Sequence, residues 1–282
     1  MPKSALKAGL FGRPLSRSLS PEVFRAFAAL TGLDISYELR DVPPAELRHG
    51  IEAARAEGWT GFNVTIPYKS GICGLLSLTD PAAAACGAVN CVRFGRTGLE
   101  GLNTDARALR EALGERGFEA AGRRAAVFGA GGSAASSGWA LGRSRAAAVV
   151  FHARNQAAAA ALAERLSAAF PHTAYSAAPF AAPAADTDIL VNATPLGMYA
   201  PGGPPCEPRA GQFCADLAYA PGGTEFSAAA AAAGAALADG LDLLVWQAAL
   251  ALRYWTGLPA GDIVEFKREA AALLRRGLKG GD

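Results

Sequence analysis

The chain has 282 residues, 27 of them basic and 25 acidic, for a net charge of +2. That balance is too even for an electrostatic footprint on nucleic acid or on a membrane surface, so neither is expected as a partner. Half of the residues are hydrophobic, and the length suits about two domains with sizeable cores.

Leu6–Phe11 reads as a first strand, running into Gly12-Arg13-Pro14-Leu15-Ser16-Arg17-Ser18-Leu19-Ser20-Pro21. Ser20 suits an N-cap and Pro21 the first turn of a helix reaching about Leu30. Ile35–Leu39 alternates as a strand, and Pro44–Glu57 reads as a helix closed by Gly58. Phe62–Ile66 is a short strand stopped by Pro67, which has no amide proton for a sheet ladder. Lys69 then stands where a strand end opens, and in open α/β sheets the carboxyl ends of strands bind ligands. Asn63 and Thr65 share one face of that strand, so two polar groups and an ammonium are expected to converge. Short helical pieces follow to Ala85, then a strand pair, Ala88–Phe94 and Gly98–Leu102, around the turn residues Gly95–Thr97.

A second unit begins near Asn103-Thr104-Asp105, where Asp or Thr before Ala106 would serve as an ordinary helix cap. A helix over about Ala106–Arg116 leads to the apolar strand Arg124–Phe128, then to Gly129-Ala130-Gly131-Gly132-Ser133-Ala134 and a helix to about Leu141. Ala147–His152 is the next strand and Gln156–Ala168 the next helix; Thr173–Ser176, Asp188–Asn192 and Phe213–Leu217 read as strands and Thr224–Ala233 as a helix. Gly- and Pro-rich connections occupy 195–211 and 220–223, and the helices Leu241–Tyr254 and Ala260–Leu278 close the pattern, suited to pack back on the first domain. Alternating strands and helices predict βαβ domains with largely parallel sheets.

Alanine runs at 82–85, 157–161 and 228–233 read as solvated or lightly packed helices. The cysteines at 73, 86, 91, 206 and 214 form no C-x-x-C pair and read as reduced thiols, and the scattered histidines at 49, 152 and 172 suggest no metal site. No apolar run approaches the roughly 20 residues that span a bilayer. No signal-peptide core follows Met1-Pro2-Lys3-Ser4, so a cytoplasmic location is expected.

The strand, the G-x-G-x-x-A turn and the helix after it form a dinucleotide-binding turn in its proper context. Glycines let backbone amides approach a pyrophosphate, and the helix N-terminus adds a positive dipole. The end of the next strand, Phe151-His152-Ala153-Arg154-Asn155, has no acid to hold a ribose 2′-hydroxyl and one arginine suited to a 2′-phosphate. NADP is therefore favoured, with NAD left open.

Taken together, these segments resemble the shikimate dehydrogenase family. The matching pieces are Ser18-Leu19-Ser20-Pro21, Asn63-Val64-Thr65-Ile66-Pro67-Tyr68-Lys69, Gly87-Ala88-Val89-Asn90, Gly101-Leu102-Asn103-Thr104-Asp105, Gly129-Ala130-Gly131-Gly132, Asn192-Ala193-Thr194-Pro195-Leu196-Gly197-Met198, Tyr219-Ala220-Pro221, and Gln247-Ala248 with Trp255-Thr256-Gly257. They keep the family's order over nearly the whole chain.

The resemblance implies an α/β protein of two domains with a cleft between them. Residues 1–103 and 241–282 would form an open mixed or parallel substrate domain, and residues 104–240 a Rossmann-like nucleotide domain. It further implies that Ser18 and Ser20 bind a substrate carboxylate with help from Thr65, that Lys69, Asn90, Asp105 and Gln247 hold ring hydroxyls, and that Lys69 and Asp105 form the catalytic pair. Asn63 and Tyr219 join the substrate set, with Tyr219 and the Asn192–Met198 segment also lying along the cofactor; Gly129, Ala130, Gly131, Gly132, Ser133, Arg154, Asn192, Thr194, Met198 and Gly240 would hold NADP.

The implied reaction is reversible NADP-dependent reduction of 3-dehydroshikimate to shikimate, by a monomer or homodimer whose partner is that small molecule. Departures exist: Arg17 replaces a usual His, Phe24-Arg25 a His-Asn, Ala135 a frequent Arg, and Ala158 a second basic residue near Arg154. Quinate, shikimate or aminoshikimate oxidation with NAD is the alternative within the class. A non-catalytic small-molecule sensor on the same scaffold would not need the Lys69–Asp105 pair, and a methylene-tetrahydrofolate dehydrogenase would not need Ser18 and Ser20.

Overall fold

The computed structural model describes residues 5–279. The first elements are β1 (Leu6–Gly12), α1 (Ser20–Thr31), β2 (Ile35–Asp41), α2 (Leu47–Ala56), β3 (Gly61–Val64), α3 (Tyr68–Gly71), β4 (Leu76–Thr79), α4 (Pro81–Cys86), β5 (Cys91–Phe94) and β6 (Leu99–Leu102). There follow α5 (Thr104–Glu115), β7 (Arg124–Phe128), α6 (Gly132–Arg143), β8 (Ala148–Ala153), α7 (Gln156–Ala169), β9 (Ala174–Pro179) and β10 (Ile189–Asn192). The remainder is β11 (Phe213–Asp216), α8 (Glu225–Ala232), β12 (Ala236–Ala238), α9 (Gly240–Thr256) and α10 (Ala260–Lys279). The chain divides into two compact units, one of residues up to Thr104 together with those from Val245 onward, the other Asp105–Leu244.

The first unit is built on a mixed sheet of order β2-β1-β3-β5-β6-β4. β1 runs parallel to both β2 and β3, β5 antiparallel to β3 and β6, and β4 parallel to β6. On one face, α2 buries Leu47, Ile51 and Ala54, a four-then-three spacing that aligns them on one helix side, against Phe11, Trp59 and Phe62. On α1, Phe24 stacks on Tyr37 with ring centroids 4.1 Å apart and tilts against Trp255 of α9. The last helix, α10, packs on α1.

Gly61 marks how close these layers come. A Cβ there would lie 2.3 Å from Trp255 Nε1 and 2.4 Å from the Val92 carbonyl, the same carbonyl that accepts the Trp255 indole proton at 3.0 Å. Gly61→Ala must therefore part α9 from the sheet, a cost of about 2–3 kcal/mol. We expect its thermal midpoint to fall by roughly 5–10 °C, measured by calorimetry or circular dichroism.

The second unit is a wholly parallel sheet of order β12-β11-β10-β7-β8-β9. Its order reverses between β7 and β10, the switch point beside which an open α/β sheet binds ligands at its strand carboxyl ends. In α7, Ala159, Leu162, Ala163 and Leu166 are buried while Ala157, Ala160 and Ala161 face outward, so that alanine run is half solvated as its composition suggests. The run in α4 differs, because Ala82 and Ala83 are buried.

Several local expectations are corrected. The third strand ends at Val64 rather than Ile66, and Lys69 lies in the helical turn α3 instead of at a strand end. Leu76–Thr79, read as part of a helical stretch, is edge strand β4, held by its ladder with β6. Ser20 is the first residue of α1, not its cap; Leu19 takes the cap position without a side-chain bond. α5 starts at Thr104, so Thr104 and Asp105 lie inside the helix. Pro44–Glu46 is a 3-10 turn ahead of α2, the first strand of the hairpin starts at Cys91 instead of Ala88, and β12 was not anticipated.

Among the described residues no helix is long and apolar enough to cross a membrane, and no three His, Cys, Asp or Glu side chains gather as a metal site would require.

Candidate active site

Sheet register brings the first unit's predicted residues to one end of the sheet. The loop after β1 carries Ser18 and leads to Ser20 at the start of α1, and the segment after β3 carries Thr65 and Lys69. Because β5 runs antiparallel to β3, Asn90 just before it lies at that same end, where its carbonyl accepts the Val64 amide at 3.0 Å. β6 turns back along β5, so Asn103 and Thr104 arrive there too. The Thr65 amide bonds the Phe11 carbonyl at 2.9 Å and the Arg13 amide the Ile66 carbonyl at 2.9 Å, which ties the two loops together. The Leu15 amide donates to Asp41 Oδ2 at 2.9 Å, fixing the loop that leads to Ser18. The Lys69 backbone is held by Val89, whose amide donates to the Lys69 carbonyl at 2.7 Å.

A buried polar chain runs beneath these residues. Tyr37 Oη donates to Asn63 Oδ1 at 2.9 Å, and Asn63 Nδ2 donates to the Asn90 carbonyl at 2.9 Å. Asn90 Nδ2 donates to Thr104 Oγ1 at 2.8 Å and reaches Gln247 Oε1 at 3.4 Å, while Asn90 Oδ1 accepts the Thr104 amide at 2.7 Å. Thr104 Oγ1 lies 3.5 Å from Gln247 Oε1. Asn63 is 4% exposed, so its amide is committed to holding the Asn90 backbone from the interior. Tyr37 belongs to this assembly and was not picked out from the sequence, and Thr104, read there as a helix cap, joins it as well. An isolated tyrosine in an edge-strand pattern gives no sign of its partner.

In the second unit, the Gly129 amide donates to the His152 carbonyl at 2.9 Å and its backbone has φ +122°. A Cβ at Gly129 would lie 2.9 Å from the Ala193 carbonyl oxygen, so the turn after β7 is seated on the end of β10. Gly131 precedes α6, and a Cβ there would meet nothing within 4 Å. Ala130, Gly131, Gly132 and Ser133 thus lead into the start of a twelve-residue helix with open space above the turn. Arg154 is exposed after β8, and Asn155 caps α7 by accepting the Ala158 amide at 3.0 Å. Burial lowers the pKa of His152, near the end of β8, which favours its neutral form. Asn192 Oδ1 accepts from Thr194 N at 3.1 Å and Thr194 Oγ1 at 2.6 Å, and Met198, further along this segment, is buried. Gly240, at the start of α9, packs on Ala218 and Tyr219.

Sequence reading missed Asp216, although an acid closing the apolar strand Phe213-Cys214-Ala215-Asp216 is a visible signal. Its carboxylate is wholly buried and accepts from Asn192 Nδ2 at 2.8 Å, from the Ala218 amide at 3.0 Å and from the Thr224 hydroxyl. Burial pushes its pKa from 3.8 up to about 6 against the pull of those hydrogen bonds, with a further push from Asp239. Its contribution to stability is thus complete below about pH 3.8 and is lost as pH rises through about 6, since the folded chain binds the extra proton across that window. Asp216→Asn has no such titration. The difference in unfolding free energy between parent and D216N should therefore shift by about 2–3 kcal/mol between pH 4 and pH 7, read from denaturant curves; parallel pH profiles would refute it.

Burial also pushes the Cys206 and Cys214 thiols up to about 12, which makes both poor nucleophiles. No disulfide joins any of the five cysteines.

The family described as "Shikimate dehydrogenase substrate binding domain" matches residues 10–92, and that described as "Shikimate 5'-dehydrogenase C-terminal domain" matches residues 240–261. A shikimate dehydrogenase (NADP(+)) of Anaeromyxobacter sp. (strain K) is 41% identical over 257 residues, covering 89% of this chain and 91% of that protein. Among solved structures, shikimate 5-dehydrogenase from Thermus thermophilus in complex with NADP(H) and shikimate has a TM-score of 0.79 at 33% identity, over 94% of this chain and 99% of that one. The ligand-free 5-ketofructose reductase of Gluconobacter sp. strain CHM43 has a TM-score of 0.83 at 28% identity, over 95% and 99%. Identity of this level across nine-tenths of both chains leaves one assignment: the chain belongs to the shikimate dehydrogenase family.

Proposed function

We propose that this chain is an NADP-dependent shikimate dehydrogenase, interconverting 3-dehydroshikimate and shikimate. The observation that carries the reading is the gathering of Ser18, Ser20, Thr65, Lys69, Asn90 and Gln247 at one end of the first unit's sheet, over a buried polar chain. α1 begins at Ser20 with no side-chain bond from its cap residue Leu19, which suits an anion at the amides that follow, and the Ser20 amide donates to Ser18 Oγ at 3.3 Å. The substrate carboxylate would be held there by Ser18 and Ser20, with Thr65 beside them. Asn90 and Gln247 are keyed to each other directly and through Thr104, and the ring hydroxyls would meet this pair.

The second unit's turn fits a dinucleotide. Gly129 lets the turn sit on β10, and the space over Gly131 is what a pyrophosphate at the N-terminus of α6 requires. Arg154, exposed after β8, suits a 2′-phosphate. When bound, NADPH supplies the hydride that reduces the ketone carbon. The ketone oxygen then needs a proton, which the Lys69 ammonium gives and, in the reverse direction, the lysine takes back; Asp105 is the second candidate acid–base group.

The test is a steady-state assay on nicotinamide absorbance, crossing shikimate and quinate with NADP and NAD. Turnover of shikimate with NADP, well above the other three pairings, is the expected outcome. No shikimate oxidation with either cofactor would overturn the proposal.

A further inference from the structure

Asp216 sits where three separate stretches of the second unit meet. One carboxylate oxygen accepts from Asn192 Nδ2 and from the Ala218 amide, and the other accepts from the Thr224 hydroxyl. Each donor is tied onward. Asn192 Nδ2 also donates to the Leu196 carbonyl at 3.2 Å, and its Oδ1 holds Thr194, so the amide folds the 192–196 segment about itself. Ala218 carries Tyr219 beside it, and both are pressed by Gly240, where a Cβ would lie 2.1 Å from the Ala218 carbonyl oxygen and 2.9 Å from Tyr219 Cβ. Thr224 caps α8 in a reciprocal capping box with Ser227, and the 192–198 segment packs on it: a Cβ at Gly197 would lie 2.9 Å from Thr224 Cβ.

We propose that Asp216 is a positioning residue for cofactor binding: its carboxylate locks the 192–198 segment, the Ala218–Tyr219 turn and the α8 cap into one surface, along which NADP lies. The inference deepens the functional reading above and rests on it for the identity of the ligand. A buried carboxylate that remains ionised at neutral pH is an unfavourable way to fill a core position, so the fold gains little stability from it. What it supplies is geometry. All three neighbours present protons to it, and a carboxylate alone can accept every one of them with charge-assisted bonds. An amide at this position could accept on one oxygen only. Its NH2 would face either the Thr224 hydroxyl, which already accepts the Ser227 amide at 3.0 Å, or the two N–H donors.

The experiment compares Asp216→Asn, Thr224→Val and Thr224→Ser in the full chain by three readouts. These are NADP dissociation constants, shikimate KM at saturating NADP, and backbone amide exchange of the ligand-free protein. D216N is expected to weaken NADP binding about tenfold, corresponding to the weakening of charge-assisted bonds, while shikimate KM stays within about twofold. T224V should move in the same direction, and T224S, which keeps the hydroxyl, should restore near-parent affinity. Exchange should quicken in 193–199 and 217–224 but not in β7 or β8, with the D216N thermal midpoint within about 3 °C of the parent.

The inference is overturned if D216N binds NADP like the parent, if shikimate KM rises in step with NADP affinity loss, or if T224S is as weak as T224V. A parent protein that binds no NADP would sink the functional reading, whereas unchanged exchange in D216N would sink the locking role whatever the ligand.

Discussion

Lys69→Ala is expected to lower kcat for shikimate oxidation by about 10²–10⁴-fold, the range in which a positioned proton donor or acceptor works. The prediction depends on the side chain alone being removed. Lys69 lies in α3 after β3, and its backbone is held independently, by the Val89 amide on its carbonyl and by the Tyr68 amide on Thr65 one residue upstream. Neither bond involves the amine, so the β3–α3 junction, the seat of Thr65 and the underlying Asn63–Asn90 link should survive the substitution. Stability and NADP affinity should then match the parent, while kcat collapses. Lys69→Arg keeps a charge but not a readily lost proton, and should recover binding of shikimate without recovering turnover. Asp105→Asn tests the partner and should reduce kcat in the same direction. Parent-like turnover in K69A would remove Lys69 from the proton step.

The second large effect is expected at the glycine turn, where two glycines separate fold from cofactor. Gly129 has φ +122°, which L-residues rarely adopt, and an added Cβ would meet the Ala193 carbonyl oxygen at 2.9 Å and its carbon at 3.2 Å. The obstacle is backbone at the end of β10, and the turn cannot retreat freely because the Gly129 amide is bonded to His152 on the other side. Gly129→Ala should therefore cost about 1–3 kcal/mol of stability from backbone strain and displace the turn amides, weakening NADP binding by roughly 10–100-fold. Gly131 is the contrast. Its φ of −90° and ψ of −169° are open to any residue, and a Cβ would meet nothing in the protein. Gly131→Ala should leave the unfolding transition within about 0.5 kcal/mol of the parent, yet still weaken NADP binding, because the methyl would occupy space that a pyrophosphate needs. Calorimetric titration with NADP and denaturant unfolding of both variants decide the matter. Full NADP affinity in G131A would mean that the cofactor does not lie over this turn.

Much of the architecture was legible from the order of residues alone. The α7 face, with Leu162 and Leu166 four apart, follows from local periodicity, as does the strand–glycine–helix order around Gly129, because both are written in side chains a few residues apart. Boundaries were less legible. Leu76–Thr79 looks like a weak helical stretch and becomes a strand only because β6 offers it a ladder, and β12 is likewise created by its pairing with β11. Ser20 has the right chemistry for a cap, but the chain turns one residue earlier.

The residue types of the candidate site were also in the sequence: the paired serines, Lys69, Asn90, Asp105, Gln247 and the glycine turn. What tertiary structure alone decided is how they are divided into groups that meet and groups that support. Asn63 proves to be turned inward between Tyr37 and Asn90, and Asn90 finds Gln247 from 157 residues away. Asp216, one acid among 25 in the chain, becomes the acceptor on which three segments depend. Periodicity and propensity act over a turn or two of chain, so they specify elements and residue chemistry. A buried hydrogen bond between distant segments has no local signature, because its partners are chosen by strand order and register, and only the folded sheet brings them within about 3 Å of each other.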